Sequence, residues 1–282
     1  MKPTVAILAA GNMGAAVARR LTENGITVLT SLAGRSDASR GRAIAAGMQD
    51  VAFQKLVETD LFLSIVPPAE AMATATRFTS EFGDSNRSCS YVDCNAVSPA
   101  TARKIGVILD PSRCNYVDAS IIGVPPEAGK PKPVFYASGP NAAPFAALAD
   151  FGLDIRRLES GIGAASALKM SYAGITKGLT GLATAMMLAA TREGAAKALH
   201  DELRRSQPGL LTWFEPQVPG MLPKAYRWVA EMEEIAGFLA ADESAASMFN
   251  GLARLYERLA TDVKNEKREA EALLAFLAQA RE

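Results

Sequence analysis

Histidine is all but missing from this chain of 282 residues, His200 being the only one. That excludes a multi-histidine metal site and leaves few routes to imidazole acid–base chemistry. A proton carrier has to be sought among lysine, tyrosine and the carboxylates, and no metal site is expected. Cysteine is scarce as well. Cys89, Cys94 and Cys114 are odd in number and lack the close pairs of a zinc site, which points to ordinary thiols in a reduced, cytoplasmic interior. Neither sign of charge is in excess, with 30 Lys plus Arg against 30 Asp plus Glu. The balance argues against nucleic acid or an anionic membrane as partner. Long hydrophobic runs are absent too. Lys177 and Arg192 confine the apolar stretch Leu179–Ala190 to fewer than the ~20 residues a membrane helix needs. The opening run from Val5 to Ala10 is short and leads into a glycine turn, which suits a first strand better than a signal peptide.

What is present is a rhythm. Short apolar runs at Val5–Ala9, Ile26–Leu32, Leu61–Val66, Ser90–Asp93, Tyr116–Asp118 and Val134–Ser138 read as strands, the earlier ones separated by helical patterns such as Ala15–Asn24 and Ser39–Ala46. Such βαβ alternation predicts a parallel sheet with right-handed crossovers. Near residue 155 the pattern changes to helical periodicity alone: Gly163 to about Thr191, Ala195–Arg205, Pro223–Ala241 and Ala245–Ala280. Pro208, Pro216, Pro219 and Pro223 read as punctuating a loop. The expected architecture is an α/β Rossmann-type N-terminal domain, residues 1–158, and an all-α C-terminal domain for substrate binding and dimerisation, residues 159–282.

The first strand runs into Ala9-Ala10-Gly11-Asn12-Met13-Gly14 and then a helix. In the dinucleotide fingerprint G-x-G-x-x-G the middle glycine lets backbone approach a pyrophosphate, and the last lets helix and strand pack closely. Gly11 and Gly14 fill those places, while Ala9 stands where the first glycine is usual. The helix start from Gly11 would supply amides and a positive dipole end to an anion, with Asn12 and Met13 in the turn. The second strand ends in Gly34-Arg35-Ser36 rather than in the carboxylate of an NAD site. Arg35 and Ser36 suit a 2′-phosphate, with Arg40 and Arg42 close behind. NADP is therefore the expected cofactor, with NAD still open through Asp37. Val66 and Pro67, which close the third strand, and Asn95 complete the expected cofactor set.

At this point the chain resembles the β-hydroxyacid dehydrogenases, the group of 3-hydroxyisobutyrate and 6-phosphogluconate dehydrogenases. After the glycine turn come three further blocks in the family's order. Asp93-Cys94-Asn95-Ala96-Val97-Ser98-Pro99 is similar to D-x-S-T-x-x-P, and Asp118-Ala119-Ser120-Ile121-Ile122-Gly123 to the substrate segment D-A-P-V-S-G-G. Gly163-Ala164-Ala165-Ser166-Ala167-Leu168-Lys169 resembles G-x-G-x-x-x-K, which implies that Lys169 is catalytic. The nearest branch is the phosphogluconate dehydrogenase-like one with its own C-terminal domain, judged by Gly34-Arg35-Ser36, Ile122–Pro126 and Arg227–Glu234. The chain also departs from the pattern. Ala173 stands where the family often has asparagine, Ile122 where it has serine, and Tyr172 where 6-phosphogluconate dehydrogenases keep a histidine.

Taken alone, Lys169 has small or apolar neighbours at Ala165, Ala167, Leu168 and Ala173, which favour a neutral amine that can accept a proton. The expected catalytic residues are Lys169 and Tyr172. Asn95, Ile122, Gly123, Ala173, Arg227 and Trp228 are the expected substrate contacts. The expectation is hydride exchange between the nicotinamide and a small hydroxy acid or related hydroxy compound. The alternatives are an imine reductase-like enzyme and a non-catalytic NADP-binding sensor. Leu179–Ala190 is apolar on nearly every side, which suggests a helix buried all round, and the resemblance implies a homodimer formed through the helical domain.

Overall fold

The computed structural model describes residues 2–83, 88–110, 114–126 and 132–279. It divides into two compact units, residues 1–170 and 171–282. The first unit contains strands β1 (Thr4–Leu8), β2 (Thr27–Thr30), β3 (Gln49–Asp50), β4 (Leu61–Ser64), β5 (Ser90–Asp93), β6 (Asn115–Ile122), β7 (Val134–Ser138) and β8 (Asp154–Arg157). Between them lie α1 (Asn12–Glu23), α2 (Asp37–Ala45), α3 (Phe53–Leu56), α4 (Ala71–Phe82), α5 (Pro99–Leu109) and α6 (Ala143–Ala146). Helix α7 (Ala164–Arg192) begins in the first unit and continues into the second. There it is followed by α8 (Ala196–Ser206), α9 (Pro208–Met221), α10 (Ala225–Phe238), α11 (Glu243–Lys264) and α12 (Arg268–Leu277). The division between units falls inside α7, whereas the sequence boundary at 158/159 marks the end of the last strand.

The strands pair in one sheet of order β3-β2-β1-β4-β5-β6-β7-β8. Successive residues of β1 serve opposite faces. Val5 and Ile7 join a core with Val17, Leu21 and Phe145, while Ala6 and Leu8 join another with Phe62, Phe78 and Tyr91. Both faces are covered, so the strands read as continuous apolar runs rather than alternating ones. The chain winds outward from β1 to β3 and then returns to set β4 on the other side of β1. This reversal makes the carboxyl ends of β1 and β4 the switch point, where open α/β sheets take their ligands.

The sheet is not wholly parallel, as the βαβ rhythm had suggested. β7 pairs antiparallel with β6, and β8 follows β7 in parallel. Only eleven residues, 123–133, join β6 to β7, whereas a parallel return needs a crossover of about a dozen or more, usually with a helix. The two-residue β3 and the polar β8 were not foreseen, since neither carries an apolar run.

The second unit brings three corrections. The proline-rich stretch is a helix, α9, with Pro216 and Pro219 inside it. Leu211, Phe214, Val218 and Met221, at helical spacing, are buried along it, and that burial offsets the hydrogen bonds the prolines remove. The C-terminal stretch is two helices, because Lys267 adopts a left-handed conformation (φ 59°). The Asp262 carboxylate then caps α12, accepting from Glu269 N at 3.2 Å and Ala270 N at 2.9 Å. Helix α7 is not covered on all sides by its own chain. Gly178 and Gly181 lie close under Phe249 and Leu252 of α11, but Ile175, Leu182 and Met186 are 71%, 57% and 53% exposed.

Because Pro216 is exposed within α9, Pro216→Ala restores an amide donor at a helical position without loss of buried surface. Thermal denaturation should show the variant more stable by about 1–3 kcal/mol. An equal or lower Tm would mean that α9 gains nothing from the restored donor.

Candidate active site

The glycine turn is shaped by contacts that only small residues allow. Gly14 sits so close under β1 that an added Cβ would lie 2.3 Å from the Ala9 carbonyl oxygen. At Gly11, the N-cap of α1, a Cβ would meet nothing within 4 Å, and no side chain caps the helix. The first amides of α1 therefore face an open cradle with a positive helix end behind it, which fits a dinucleotide pyrophosphate. Ala9, in place of the usual glycine, holds φ 77°. The tight turn is thus kept at a conformational cost of about 1–2 kcal/mol, which a glycine would avoid. Arg42 braces the turn from α2, with Nε donating to Ala10 O at 2.9 Å and Nη2 to Ser39 Oγ at 2.9 Å.

That bracing separates the basic residues after β2. Arg42 supports the turn, and Arg40 Nε donates to Arg35 O at 3.2 Å. Ser36 is the N-cap of α2, accepting from Ser39 N at 3.4 Å. Arg35, half-buried, is set by these contacts at the end of the β2 loop.

Across the switch point, Asn95 fastens β5 to β4. Its Oδ1 accepts from Val66 N at 2.7 Å, and its Nδ2 donates to Ser64 Oγ at 2.9 Å and to Asp93 Oδ1 at 2.5 Å. Asn95 is buried, so these bonds fix the backbone at Val66 and Pro67 and make it a staple of the strand ends. Asp93 is buried beside it and accepts also from Asn95 N at 3.1 Å. Burial above all, with the nearby charge of Asp118, pushes the Asp93 carboxyl up to about 7 against the pull of Asn95.

Asp118, level with Asp93 on β6, is buried but well supplied with donors. Its Oδ2 accepts from Ser138 Oγ at 2.8 Å, Gly163 N at 2.8 Å, Ala165 N at 3.1 Å and Ser166 N at 3.3 Å. Its Oδ1 accepts from Ser166 Oγ at 2.6 Å. The carboxylate thereby binds the start of α7 to the middle of β6. Further along the same pair of elements, Lys169 Nζ donates to Ile121 O at 2.8 Å. Lys169 is thus brought beside Ile122 and Gly123, two of the expected substrate contacts. Gly123, at φ 125°, places the turn so that a Cβ would touch Pro133 Cα at 3.0 Å.

The remaining expected residues belong to the second unit. Tyr172 lies three residues beyond Lys169 along α7 and is 50% exposed, whereas Ala173 is buried. Arg227 is exposed, and Trp228 serves as packing. The Trp228 ring lies 5.0 Å from Lys177 Nζ and edge-on to Tyr256, whose hydroxyl donates to Lys177 O at 2.5 Å. Lys177 is paired with Glu231. Burial lowers the Lys177 pKa while the Glu231 charge opposes the change. His200 is buried against Phe276. Sequence reasoning did not find the anchoring role of Asp118 or the part of Ser138 and Ser166 in it. The signal lay in the second and third of the quoted blocks, Asp118–Gly123 and Gly163–Lys169, which meet only in space. Among the described residues no group of His, Cys, Asp and Glu is arranged to hold a metal, and no helix is long and apolar enough to cross a membrane.

A glycine-turn cradle at a sheet's switch point, with helix α7 tied to β6, defines a scaffold of the dinucleotide-binding α/β type. Comparison with known proteins carries this further. Residues 4–96 match the family described as NADP oxidoreductase, coenzyme F420-dependent, and residues 190–259 match a domain of unknown function, DUF1932. The conserved protein MTH1747 of unknown function, described as structurally similar to 3-hydroxyacid dehydrogenases, superposes with a TM-score of 0.72 at 26% identity, over 96% of this chain and 99% of that one. The 3-hydroxyisobutyrate dehydrogenase of Mycobacterium tuberculosis, solved with L-serine, gives 0.71 at 19% identity over 100% of both chains. An uncharacterised 28.5 kDa protein of Methanothermus fervidus is 29% identical over 217 residues, 76% of this chain and 82% of the relative. The chain thus matches an NADP oxidoreductase family in its first part and the DUF1932 domain in its last, and it shares the fold of the 3-hydroxyisobutyrate dehydrogenases, as its motifs implied.

The Asp93 carboxyl binds its proton more tightly in the folded chain (about 7) than in the unfolded one (near 3.8). Its contribution to stability is therefore full below about pH 4 and is lost as pH rises through 7, a change of a few kcal/mol. Asp93→Asn keeps an oxygen for Asn95 and should flatten the decline in Tm between pH 4.5 and 8. An equally steep decline in the variant would assign the pH dependence elsewhere.

Proposed function

We propose that this chain is an NADP-dependent oxidoreductase that exchanges a hydride with the hydroxyl-bearing carbon of a small compound, a hydroxy acid first of all. The observation that carries the reading is Lys169 held by the Ile121 carbonyl, at the head of the segment that resembles the family's substrate loop. Bound NADP supplies or accepts the hydride. Gly11, Asn12, Met13 and Gly14 cradle its pyrophosphate, Arg35 with Ser36 takes the adenosine 2′-phosphate, and Val66, Pro67 and Asn95 border the nicotinamide end. Lys169, as amine, removes the hydroxyl proton in oxidation; as ammonium it returns a proton to the carbonyl oxygen in reduction. Ile122 and Gly123 shape the substrate side from β6. Tyr172 is assigned as a second proton or hydrogen-bond donor, Ala173 as a small wall, and Arg227 as a contact for substrate carboxylate, with Trp228 supporting it. The exposed face of α7 at Ile175, Leu182 and Met186 is assigned to a homodimer contact.

Assay of a hydroxy-acid panel with NADP is the direct test. Lys169→Met should lower turnover by about 10²- to 10⁴-fold, while NADPH binding, followed by fluorescence, stays unchanged. Near-full activity in the variant would remove the lysine from the mechanism. Turnover of cyclic imines and of no hydroxy acid would move the reading to an imine reductase. Tight NADPH binding without turnover on either panel would favour a sensor.

Arg35→Ala should weaken NADPH about tenfold or more while leaving NADH nearly unaffected, since one charge-assisted bond to the 2′-phosphate is lost. Equal weakening of both cofactors, measured by the same fluorescence titration, would place the phosphate elsewhere.

A further inference from the structure

Strands β5 and β6 match like with like along one face. Their register sets Tyr91 beside Tyr116 and Asp93 beside Asp118. One residue before that ladder begins, the same register sets Cys89 beside Cys114, with Asn115 N donating to Cys89 O at 3.0 Å. The Cys114 thiol points across the gap, its Sγ donating to Cys89 O at 3.0 Å, which seats it against Cys89. Neighbouring strands run about 4.8 Å apart, inside the span of roughly 4.4–6.8 Å between Cα atoms that a disulfide bridges.

We propose that Cys89 and Cys114 form an oxidisable dithiol, a modification site in which a thiol-disulfide oxidant such as oxidised glutathione joins the two strands. Cys114 is half-buried and Cys89 buried, so Cys114 reacts first. Its thiolate attacks one glutathione sulfur, the glutathione S–S bond breaks, and one glutathione leaves as thiolate and takes up a proton. The Cys89 sulfur, having released its proton to solvent, then attacks Cys114 Sγ and expels the second glutathione. Two protein thiols are oxidised by two electrons, and one glutathione disulfide is reduced to two thiols. The hydrogen bond with Cys114, then burial, hold the Cys89 thiol far above its ordinary range, so the second step is the slow one. Cys94, buried in the core on the opposite face of the sheet, takes no part and serves as the internal reference. The bridge lies at the amino ends of the strands whose carboxyl ends carry Asn95 and Ile122, away from the glycine turn.

The reduced full chain is incubated with oxidised glutathione, quenched with acid, unfolded and analysed by thiol titration and peptide mass mapping. Titratable thiols should fall from three to one, with a linked Cys89–Cys114 peptide that a reductant separates. Cys89→Ser should instead accumulate a glutathione adduct on Cys114, and Cys114→Ser should keep both remaining thiols. A lasting adduct on Cys114 in the unsubstituted chain would overturn the proposal. So would three surviving thiols in the native chain under conditions that oxidise the urea-unfolded one.

Discussion

The candidate site hangs on one buried carboxylate. Asp118 gathers Ser138 Oγ, the amides of Gly163, Ala165 and Ser166, and the Ser166 hydroxyl, and so fixes the beginning of a 29-residue helix against the sheet. A buried charge without such partners would be costly, and an uncapped helix start would leave amides unsatisfied. Here each problem answers the other. Once α7 is seated, Lys169 falls opposite the Ile121 carbonyl, three residues along β6 from the anchor. The placement of Lys169 is thus a consequence of how the helix begins.

The cofactor end has a comparable logic in backbone rather than charge. Gly14 allows α1 to approach β1, the Arg42 guanidinium holds the Ala10 carbonyl, and Asn95 ties the ends of β4 and β5. The left-handed Ala9 shows how firmly the surroundings dictate the turn, since a Cβ is tolerated where glycine would be easier. A turn this closely braced can present amides to an anion without having to reorganise, which lowers the entropy lost on binding.

Much of this was legible in the chain. The strand at Ser90–Asp93, the strand at Val134–Ser138 and the long helix after Gly163 follow from apolar runs and glycine punctuation, because local pattern and tertiary burial agree there. The helix α9 was hidden because Pro216 and Pro219 signal a break, while the Leu211–Phe214–Val218–Met221 stripe signals a helix; burial decided between them. The reversal of β7 was hidden because strand direction depends on the connection rather than on the strand itself. In the site, Gly11, Gly14, Asn95 and Lys169 could be named from motifs. The contact of Asp118 with residues 163–166 could not, since it joins segments about 45 residues apart. The packing of Trp228 was equally hidden: its ring lies against Lys177 and Tyr256, contacts that join three separate helices.

Two aspartates stand side by side on β5 and β6, and the protein treats them differently. Asp118 receives the donors of a helix start, whereas Asp93 has chiefly Asn95 and is pushed up to about 7. Adjacent buried carboxyls rarely ionise together, because each charge disfavours the other. The donors go to Asp118, the one tied to the start of α7, while Asp93 keeps its proton up to about 7. The first amides of α7 are therefore satisfied by Asp118 within the fold. The start of α1, by contrast, has no side-chain cap and stays open at the switch point, and Lys169 lies beyond the first turn of α7 against the Ile121 carbonyl. The place of Lys169 is therefore fixed by a carboxylate three residues before Ile121 on β6, while the lone histidine is buried against Phe276 and takes no part in that arrangement.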